Sequence, residues 1–341
     1  MDPLLSLAFS VQSNKGVYAV LLGSGVSRSA RIPTGWDVVL DLVRKVAAVE
    51  QEDCEPDPVA WYSGKFGEAP DYSKLLDAIA KTRSERQQLL QTYFEPSDDE
   101  RAEGAKMPTR AHRAIARLAA GGYVRIVVTT NFDRLMERAL EDEGIAPVVI
   151  STPDQVEGAV PLAHMRCCVV KVHGDYRDTR ILNTPEELAT YDNRMDRFLG
   201  QVFDEFGLVV CGWSAEWDTA LRNAIERAPA RRYSMYWMTK GELGDAAKRV
   251  IHRRAGIEVS ITDADTFFES LFAKVSAIDE FAQPHPLSIA AAVAATKRYL
   301  SDPQSRIKLA DLIDDEAQRV ARELSSAIMS NVVDADRIVT Q

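Results

Sequence analysis

The stretch that decides the fold is Val17-Tyr18-Ala19-Val20-Leu21-Leu22-Gly23-Ser24-Gly25-Val26-Ser27. Its apolar first half has the length of a buried strand, and a tight Gly-Ser-Gly turn follows at once. An amphipathic segment resumes at Trp36. The order strand, glycine turn and helix can point several backbone N–H groups at one phosphate near a helix N-terminus. The same order also occurs as an ordinary turn, and no third glycine completes the dinucleotide fingerprint before Ser29 and Ala30, so both interpretations stay open.

The overall composition is that of a globular chain with a sizeable core. Its 341 residues are 46% hydrophobic and 27% charged, which predicts one large or two ordinary domains. The formal net charge of −10 argues against unaided binding of nucleic acid, which depends on clustered Lys and Arg. No apolar run approaches the ~20 residues that span a bilayer, and the N-terminus Met1–Leu5 lacks the basic segment of a secretory signal. We therefore expect a cytoplasmic protein without membrane or direct nucleic-acid contacts.

The four cysteines predict a reducing compartment. Cys167 and Cys168 are neighbours within an apolar run, whereas Cys54 and Cys211 stand alone. Because no Cys-x-x-Cys pair occurs, the spacing excludes a zinc ribbon. We expect no bound metal.

Strands and helices alternate along most of the chain. Apolar runs of strand length are predicted at 17–22, 123–129, 146–150, 167–172, 208–211, 234–238 and 257–261. Helical spacing is predicted at 2–13, 36–49, 75–95, 114–119, 218–228, 242–255 and from 266 onward, and a further helix is opened by residues 130–133 and ended by Gly144. Thr184-Pro185-Glu186-Glu187 has helix-start chemistry. This alternation predicts an α/β fold, with a Rossmann-like, mostly parallel sheet and helices on both faces.

Two stretches lie outside this alternation. Residues 51–75 lose periodicity and are rich in Pro, Asp, Glu and Gly, which indicates a loop or an insertion. Because helical spacing resumes at 75–95, we interpret about 51–108 as a helical insertion on the α/β core. Residues 286–332 are Ala-rich and have helical spacing. We therefore predict an α/β domain over 1–283 and a helical tail over 284–341, suited to self-association or to a partner.

Polar groups recur just past the carboxyl ends of predicted strands, where open α/β sheets bind ligands. Asn131 and Asp133 follow one strand and open a helix; one of them can cap that helix, and Asn131 can also present its amide to a ligand or water. His173 follows another strand, where it can be structural or can transfer a proton near neutral pH. Gly212-Trp213-Ser214 is either only a turn or the second wall of a dinucleotide cleft.

Four blocks of the sequence resemble, in order, the signature blocks of the sirtuin superfamily. They are Gly23-Ser24-Gly25-Val26-Ser27 with Ile32-Pro33, Thr129-Thr130-Asn131-Phe132-Asp133, Val172-His173-Gly174-Asp175 and Gly212-Trp213-Ser214. They cover about 12–280 and are most similar to the bacterial sirtuin-like branch, whose members act as NAD-depleting effectors in antiphage defence. The resemblance implies a Rossmann-like NAD-binding catalytic domain.

The resemblance also implies a role for each matching residue. Asn131 and His173 line the nicotinamide-ribose pocket and are needed for cleavage. The residues implied in NAD binding are Gly23, Ser24, Gly25 and Ser27 in the phosphate loop, Thr130 and Asp133 beside the asparagine, and Gly212 and Ser214 as the later dinucleotide contact.

The sequence departs from the protein-deacylating sirtuins at several points. Thr34-Gly35-Trp36 replaces their Asp-Phe-Arg, Thr130 replaces a glutamine, and Arg31 stands where relatives often have glycine. Their four-cysteine zinc module is absent from the sequence. These departures count against deacylation and favour plain hydrolysis of NAD.

Three functions are consistent with these observations. The first is an NAD hydrolase that releases nicotinamide and ADP-ribose as a gated effector of antiphage defence. The second is a module that binds NAD or ADP-ribose without turnover, and the third, disfavoured by the zinc argument, is a protein deacylase. Because NAD depletion is toxic, we expect restraint by assembly into a homo-oligomer or by a partner such as an ATPase or an Argonaute-like sensor.

Overall fold

A computed structural model of the chain describes residues 2–178, 180–182, 186–281, 287–302, 305–318 and 320–321. The chain forms two compact units, Met1–Ile278 and Asp279–Gln341. The predicted border at 283 and 284 lies outside the described residues.

The first unit is built on a parallel sheet. Its strands are β1 (Tyr18–Leu22), β2 (Val124–Thr129), β3 (Val148–Ile150), β4 (Cys168–Lys171), β5 (Gly207–Cys211), β6 (Met235–Thr239) and β7 (Ile257–Ser260). Within the described residues they form one sheet in the order β3-β4-β2-β1-β5-β6-β7, and every neighbouring pair is parallel. β1 and β5 are buried along their whole length, as expected for central strands covered on both faces. The predicted α/β, Rossmann-like fold is confirmed.

Helices of the first unit cover both faces of the sheet, and a further helix, the last in the order below, lies in the second unit. In chain order they are α1 (Pro3–Ser13), α2 (Gly35–Val49), α3 (Pro58–Phe66), α4 (Tyr72–Ile79), α5 (Arg83–Phe94), α6 (Asp98–Ala102), α7 (Arg110–Ala120), α8 (Leu135–Asp142), α9 (Pro153–Gly158), α10 (Asn193–Glu205), α11 (Thr219–Arg227), α12 (Asp245–Arg254), α13 (Ala264–Phe281) and α14 (Leu287–Leu300). Alternate residues of each strand enter opposite cores. Thus Val20 packs with residues of α1, α7 and α13, and Leu21 packs with residues of α10, α11 and α12.

Residues 51–75, predicted as a loop or insertion, contain α3 and the start of α4. Helix α3 itself was not predicted, because a nine-residue helix is too short to show clear periodicity, although its end signals are present in the sequence. The Asp57 carboxylate accepts the N–H of Ala60, Pro58 occupies the first turn, and Gly67 ends the helix at φ 76°. Helices α2, α4 and α5 share a third core that includes Leu42, Leu75 and Leu90.

Helix α10 was not predicted. Of the proposed helix start, Thr184 and Pro185 lie outside the described residues, and Glu186 and Glu187 belong to a turn. The helix begins later, where the Asp192 carboxylate accepts the N–H of Arg194.

In the second unit, the described part of the predicted helical stretch 286–332 contains α14 and helical residues 306–318. Residues 286, 303–304, 319 and 322–332 of that stretch lie outside the described residues. Among the helices described, none combines the length and apolar character needed to cross a bilayer.

Candidate active site

Four central strands end at the same level of the sheet. Leu22 at the end of β1 pairs with Thr129 of β2 on one side and with Cys211 of β5 on the other, and Thr129 in turn pairs with Lys171 of β4. The chain runs from β1 towards β2 but from β5 towards β6, so the loops after β1 and β5 leave in opposite directions. This is the switch point at which open α/β sheets bind ligands.

Two of these loops are in close contact. The glycine turn (residues 23–27, after β1) donates the Gly23 N–H to Cys211 O at 3.0 Å and the Gly25 N–H to Gly212 O at 3.1 Å. A Cβ at position 23 would lie 2.3 Å from Gly212 O, and Gly212 itself has φ +71°. The glycines are therefore required by this close approach of backbone to backbone.

The same contacts use most backbone donors of the glycine turn. Besides Gly23 and Gly25, Val26 donates its N–H to Gly23 O and Ser27 to Ser24 O. Among the described residues none accepts the N–H of Ser24. In this conformation a phosphate at the turn would meet one backbone amide, that of Ser24, rather than a full cradle.

Asn131 is tied to the glycine turn. Its Nδ2 donates to Gly23 O at 3.2 Å and to Ser27 Oγ at 3.1 Å, and the fully buried Ser27 hydroxyl donates to Asp133 Oδ2 at 2.8 Å. Asp133 Oδ1 accepts the N–H of Leu135 at the start of α8. Asp133 therefore stabilises the helix start, which leaves the Asn131 amide for the turn.

The side-chain oxygen of Asn131 has no hydrogen-bond partner in the described part of the chain. The residue is 7% exposed, and its Oδ1 is buried without a hydrogen-bond partner among the described residues. An unsatisfied buried acceptor costs about 1–3 kcal/mol, and such atoms in native proteins usually meet a ligand or a water. This oxygen is the clearest indication that a polar ligand group belongs at this end of the sheet.

His173 follows β4 and is paired with Asp218. Since Thr129 and Lys171 are register partners, Asn131 and His173 each stand two residues beyond that pair, and the rings of Phe132 and His173 are 6.2 Å apart. His173 is 9% exposed, and its Nε2 lies 2.6 Å from Asp218 Oδ2.

The His173–Asp218 contact spans a wide part of the sheet. β4 and β5 are separated by β2 and β1, or three strand spacings of about 14 Å in total. The segments after β4 and β5 therefore meet over the ends of β2 and β1, where the glycine turn and Asn131 lie. Together they enclose one polar site.

A buried lysine supports the segment that carries Asn131. Lys171 is 0% exposed, and its Nζ donates to Phe132 O at 3.0 Å, Asp133 O at 2.5 Å, Glu137 Oε1 at 3.1 Å and Asp175 Oδ2 at 3.0 Å. We call these five residues the Lys171 cluster. Burial raises the pKa of Glu137, and the charge of Lys171 opposes that shift.

Two predicted NAD-binding residues are not part of this network. Thr130 is half-buried and joins through its backbone N–H, which donates to Leu22 O. Ser214 is exposed, and its Oγ accepts the N–H of Glu216 at 3.4 Å. The other predicted residues, Gly23, Ser24, Gly25, Ser27, Asn131, Asp133, His173 and Gly212, lie at the four strand ends or in the turns that leave them.

The sequence analysis missed Lys171, Tyr191 and Asp218. Lys171 had a signal, because it is a lone charge within the apolar run 167–172. Asp218 resembled an ordinary helix cap, and nothing in the spacing connects it with a histidine 45 residues away.

Burial controls the cysteines near the sheet. It raises the pKa of Cys167 to about 11 and that of Cys168 and Cys211 to about 12, so these thiols stay protonated at neutral pH. In the part of the chain that the structure describes, no group of three or more His, Cys, Asp or Glu side chains is placed to hold a metal ion.

The fold defines a Rossmann-like α/β protein, with a cluster of buried polar side chains at the switch point of its sheet. Residues 125–260 match the family model described as SIR2-like domain. That range contains Asn131, His173 and Asp218, and it leaves the glycine turn outside. The match supports a SIR2-like domain over those residues. No curated protein matches the sequence.

Solved structures with similarity to the chain are Sir2 proteins. One is a Sir2 homologue–NAD complex, at 16% identity and TM-score 0.43, covering 82% of this chain and 95% of that one. A second is a mutant Sir2 homologue–ADP-ribose complex, at 15% identity and TM-score 0.44, covering 83% and 100%. A third is a Sir2 protein bound to a myristoylated histone peptide, at 15% identity and TM-score 0.40, covering 81% and 98%.

Proposed function

We propose that this protein hydrolyses NAD to nicotinamide and ADP-ribose, with Asn131 and His173 as its catalytic residues. The observation that carries the proposal is the unpartnered Oδ1 of Asn131, buried at the switch point one strand away from His173. The SIR2-like match over 125–260 supports NAD as the substrate.

The chemistry suits these two side chains. The bond between nicotinamide and C1′ of the ribose breaks, its electron pair leaves with nicotinamide, and a water oxygen bonds to C1′. Nicotinamide departs neutral from a cationic ring, so no strong acid is needed. Asn131 Oδ1 accepts a hydrogen bond from the water or a ribose hydroxyl and orients it, and His173 takes the proton that the water loses.

The residues present fit the rest of the dinucleotide in part. The Ser24 N–H and hydroxyl are available to the pyrophosphate beside Gly23 and Gly25. Ser27 and Asp133 hold the Asn131 amide in place and act through it. Thr130, Gly212 and Ser214 are the remaining residues proposed to contact the dinucleotide; Thr130 is half-buried, and Gly212 and Ser214 are exposed.

We also propose that the activity belongs to a gated effector of antiphage defence, restrained until it assembles. The second unit exposes apolar side chains, namely Val293, Leu300, Ile307, Ile313 and Val320, each at least 46% exposed. Such residues favour contact with a second copy of this chain, and a sensor protein of the ATPase or Argonaute-like kind is the other partner to test. Four free, buried cysteines are consistent with a cytoplasmic protein.

The test is nicotinamide release from NAD, followed by chromatography at several concentrations of the purified full chain. Asn131→Ala and His173→Ala should each lower the rate by about 10²–10⁴-fold or to background, because orientation of the nucleophile and proton transfer are lost. Circular dichroism should show folded protein in both variants.

Matched controls use the same substitutions elsewhere. Asn14→Ala removes another Asn side-chain bond to a backbone carbonyl, and His252→Ala removes an exposed histidine; both should retain wild-type rates. If the protein binds NAD but releases no nicotinamide at any protein concentration, it is a binding module and the proposed hydrolysis is wrong. If nicotinamide is released only with an acetylated peptide, the protein is a deacylase.

A further inference from the structure

The contact between His173 and Asp218 has a fixed direction. An ionised carboxylate can only accept hydrogen bonds, so at 2.6 Å the ring nitrogen Nε2 carries the proton and donates it to Asp218 Oδ2. In a neutral imidazole the other nitrogen, Nδ1, then holds the lone pair. Within the described residues no hydrogen bond engages Nδ1.

We propose that Asp218 is the positioning residue of this site: it fixes His173 as the Nε2–H tautomer, so that Nδ1 is the atom that accepts the proton. The tautomer is inferred from the contact of Nε2 with an ionised Asp218, and its catalytic consequence rests on the proposed hydrolysis of NAD. As water bonds to C1′, its proton moves to Nδ1, and the imidazolium that forms is stabilised by the carboxylate on its opposite side.

The surroundings of Asp218 supply hydrogen-bond donors to both of its carboxylate oxygens. The residue is 2% exposed, and a buried charge requires donors that compensate for lost water. Asp218 Oδ1 accepts the N–H of Leu221 at 2.9 Å, and Oδ2 accepts the Tyr191 hydroxyl at 2.8 Å as well as His173 Nε2–H. Burial, together with the Asp218 charge, raises the pKa of Tyr191 well above its usual value, so its hydroxyl remains a donor.

Helix capping alone does not explain this arrangement. Asp57 caps α3 in the same way, with Oδ1 accepting the N–H of Ala60 at 2.9 Å, yet it is exposed. Asp218 has the same cap through Oδ1 and in addition directs Oδ2 at a histidine and a tyrosine. Oδ1 alone caps the helix, so Oδ2 is not needed for capping, and it is Oδ2 that contacts His173.

The first arm of the test needs no catalysis. Long-range ¹H–¹⁵N spectra of the full chain at neutral pH distinguish the two neutral tautomers, and comparison with His173→Ala identifies the signals of this ring among the five histidines. We expect the Nε2–H tautomer in the wild type. In Asp218→Asn, whose amide can donate to Nε2 while its oxygen keeps the Leu221 cap, we expect a shift towards Nδ1–H.

The second arm is kinetic. Asp218→Asn should lower kcat for nicotinamide release by about 10²–10⁴-fold, with KM for NAD within a few-fold of wild type, because binding contacts remain while the base carries its proton on the wrong nitrogen. Tyr191→Phe keeps the aromatic ring but removes one hydrogen-bond donor to the Asp218 carboxylate, and it should lower kcat by a smaller factor. Asp57→Asn is the matched capping control and should leave kcat unchanged.

Two results would overturn the proposal: an Nδ1–H tautomer in the wild type, or an Asp218→Asn variant with the wild-type tautomer and a rate within twofold of wild type. If the wild type releases no nicotinamide, the proposed function fails while the spectra still decide the tautomer.

Discussion

Two buried polar groups stand on neighbouring strand ends and differ in how completely they are hydrogen-bonded. The Lys171 ammonium has three protons and four oxygen acceptors within 3.1 Å, two from the backbone and two from carboxylates. Asn131 uses both protons of its amide but leaves its oxygen unpartnered. The first group is saturated, and the second retains hydrogen-bonding capacity.

This difference indicates a structural role for Lys171 and, under the proposed function, a catalytic role for Asn131. A fully hydrogen-bonded buried cluster is rigid, and removal of its lysine leaves the buried Glu137 carboxylate without the cation that contacts it. An unsatisfied buried acceptor destabilises the ligand-free fold but can accept a hydrogen bond from an incoming group. Lys171 donates to the backbone carbonyls of Phe132 and Asp133, which follow Asn131 in the chain. The Lys171 cluster therefore positions the segment that carries the unpartnered oxygen of Asn131.

The largest expected effect is on the Lys171 cluster. Lys171→Met should lower the free energy of unfolding by about 3–5 kcal/mol, because Glu137 loses the cation that pairs with it in the interior and Asp175 keeps only its contact with Arg134. Urea unfolding followed by circular dichroism measures this change. Lys81→Met, at an exposed position, is the control and should change the stability by less than about 0.5 kcal/mol.

If the two lysine variants unfold at the same urea concentration, the Lys171 cluster is not the support that the comparison requires. If Lys171→Met is less stable but its folded fraction still cleaves NAD at the wild-type rate, the cluster supports the fold and not the position of Asn131.

The next largest effect concerns the glycine turn that holds the Asn131 amide. Gly23→Ala places a Cβ 2.3 Å from Gly212 O, a backbone atom that cannot rotate away. We expect a loss of about 1–3 kcal/mol from overpacking. Because Asn131 donates to Gly23 O, a displaced turn should also lower NAD cleavage, by about 10²-fold for a shift near 1 Å.

Gly64→Ala is the control for this substitution. Gly64 lies in α3, is exposed and has open space where a Cβ would stand. The change should be neutral or stabilising by up to about 1 kcal/mol and should not affect cleavage. A Gly23→Ala protein with the stability and rate of Gly64→Ala would show that the turn and Gly212 need not touch.

Much of this architecture was predictable from the sequence. Buried parallel strands are continuous apolar runs, so β1, β2 and β5 were found within one or two residues of their observed bounds. Since such strands end at one edge of the sheet, the convergence of Asn131, His173 and the glycine turn could be expected from their positions just after strands.

The partners of these residues were not predictable. Asp218 contacts His173 across β2 and β1, and pairing over that distance depends on loop paths that local pattern does not encode. The use of the turn amides by the Gly212 loop was hidden for the same reason. Helix α10 and the short helix α3 were missed because one lacked a recognised start and the other was too short for periodicity.

The smallest expected effect tests strain at the edge of the glycine-turn segment. Arg31 has φ 61°, a left-handed conformation that favours glycine, and its guanidinium forms an exposed ion pair with Glu103. Arg31→Val should be less stable than Arg31→Gly by about 1 kcal/mol, because a β-branched side chain is disfavoured there. Glu103→Gln measures the ion pair separately and should cost less than about 1 kcal/mol. Urea midpoints of the three variants measure these differences, and a valine variant as stable as the glycine variant would mean that the segment relaxes out of the left-handed region. In that case the backbone near the glycine turn can change conformation at little cost, and the site would combine a deformable segment with the unpartnered oxygen of Asn131.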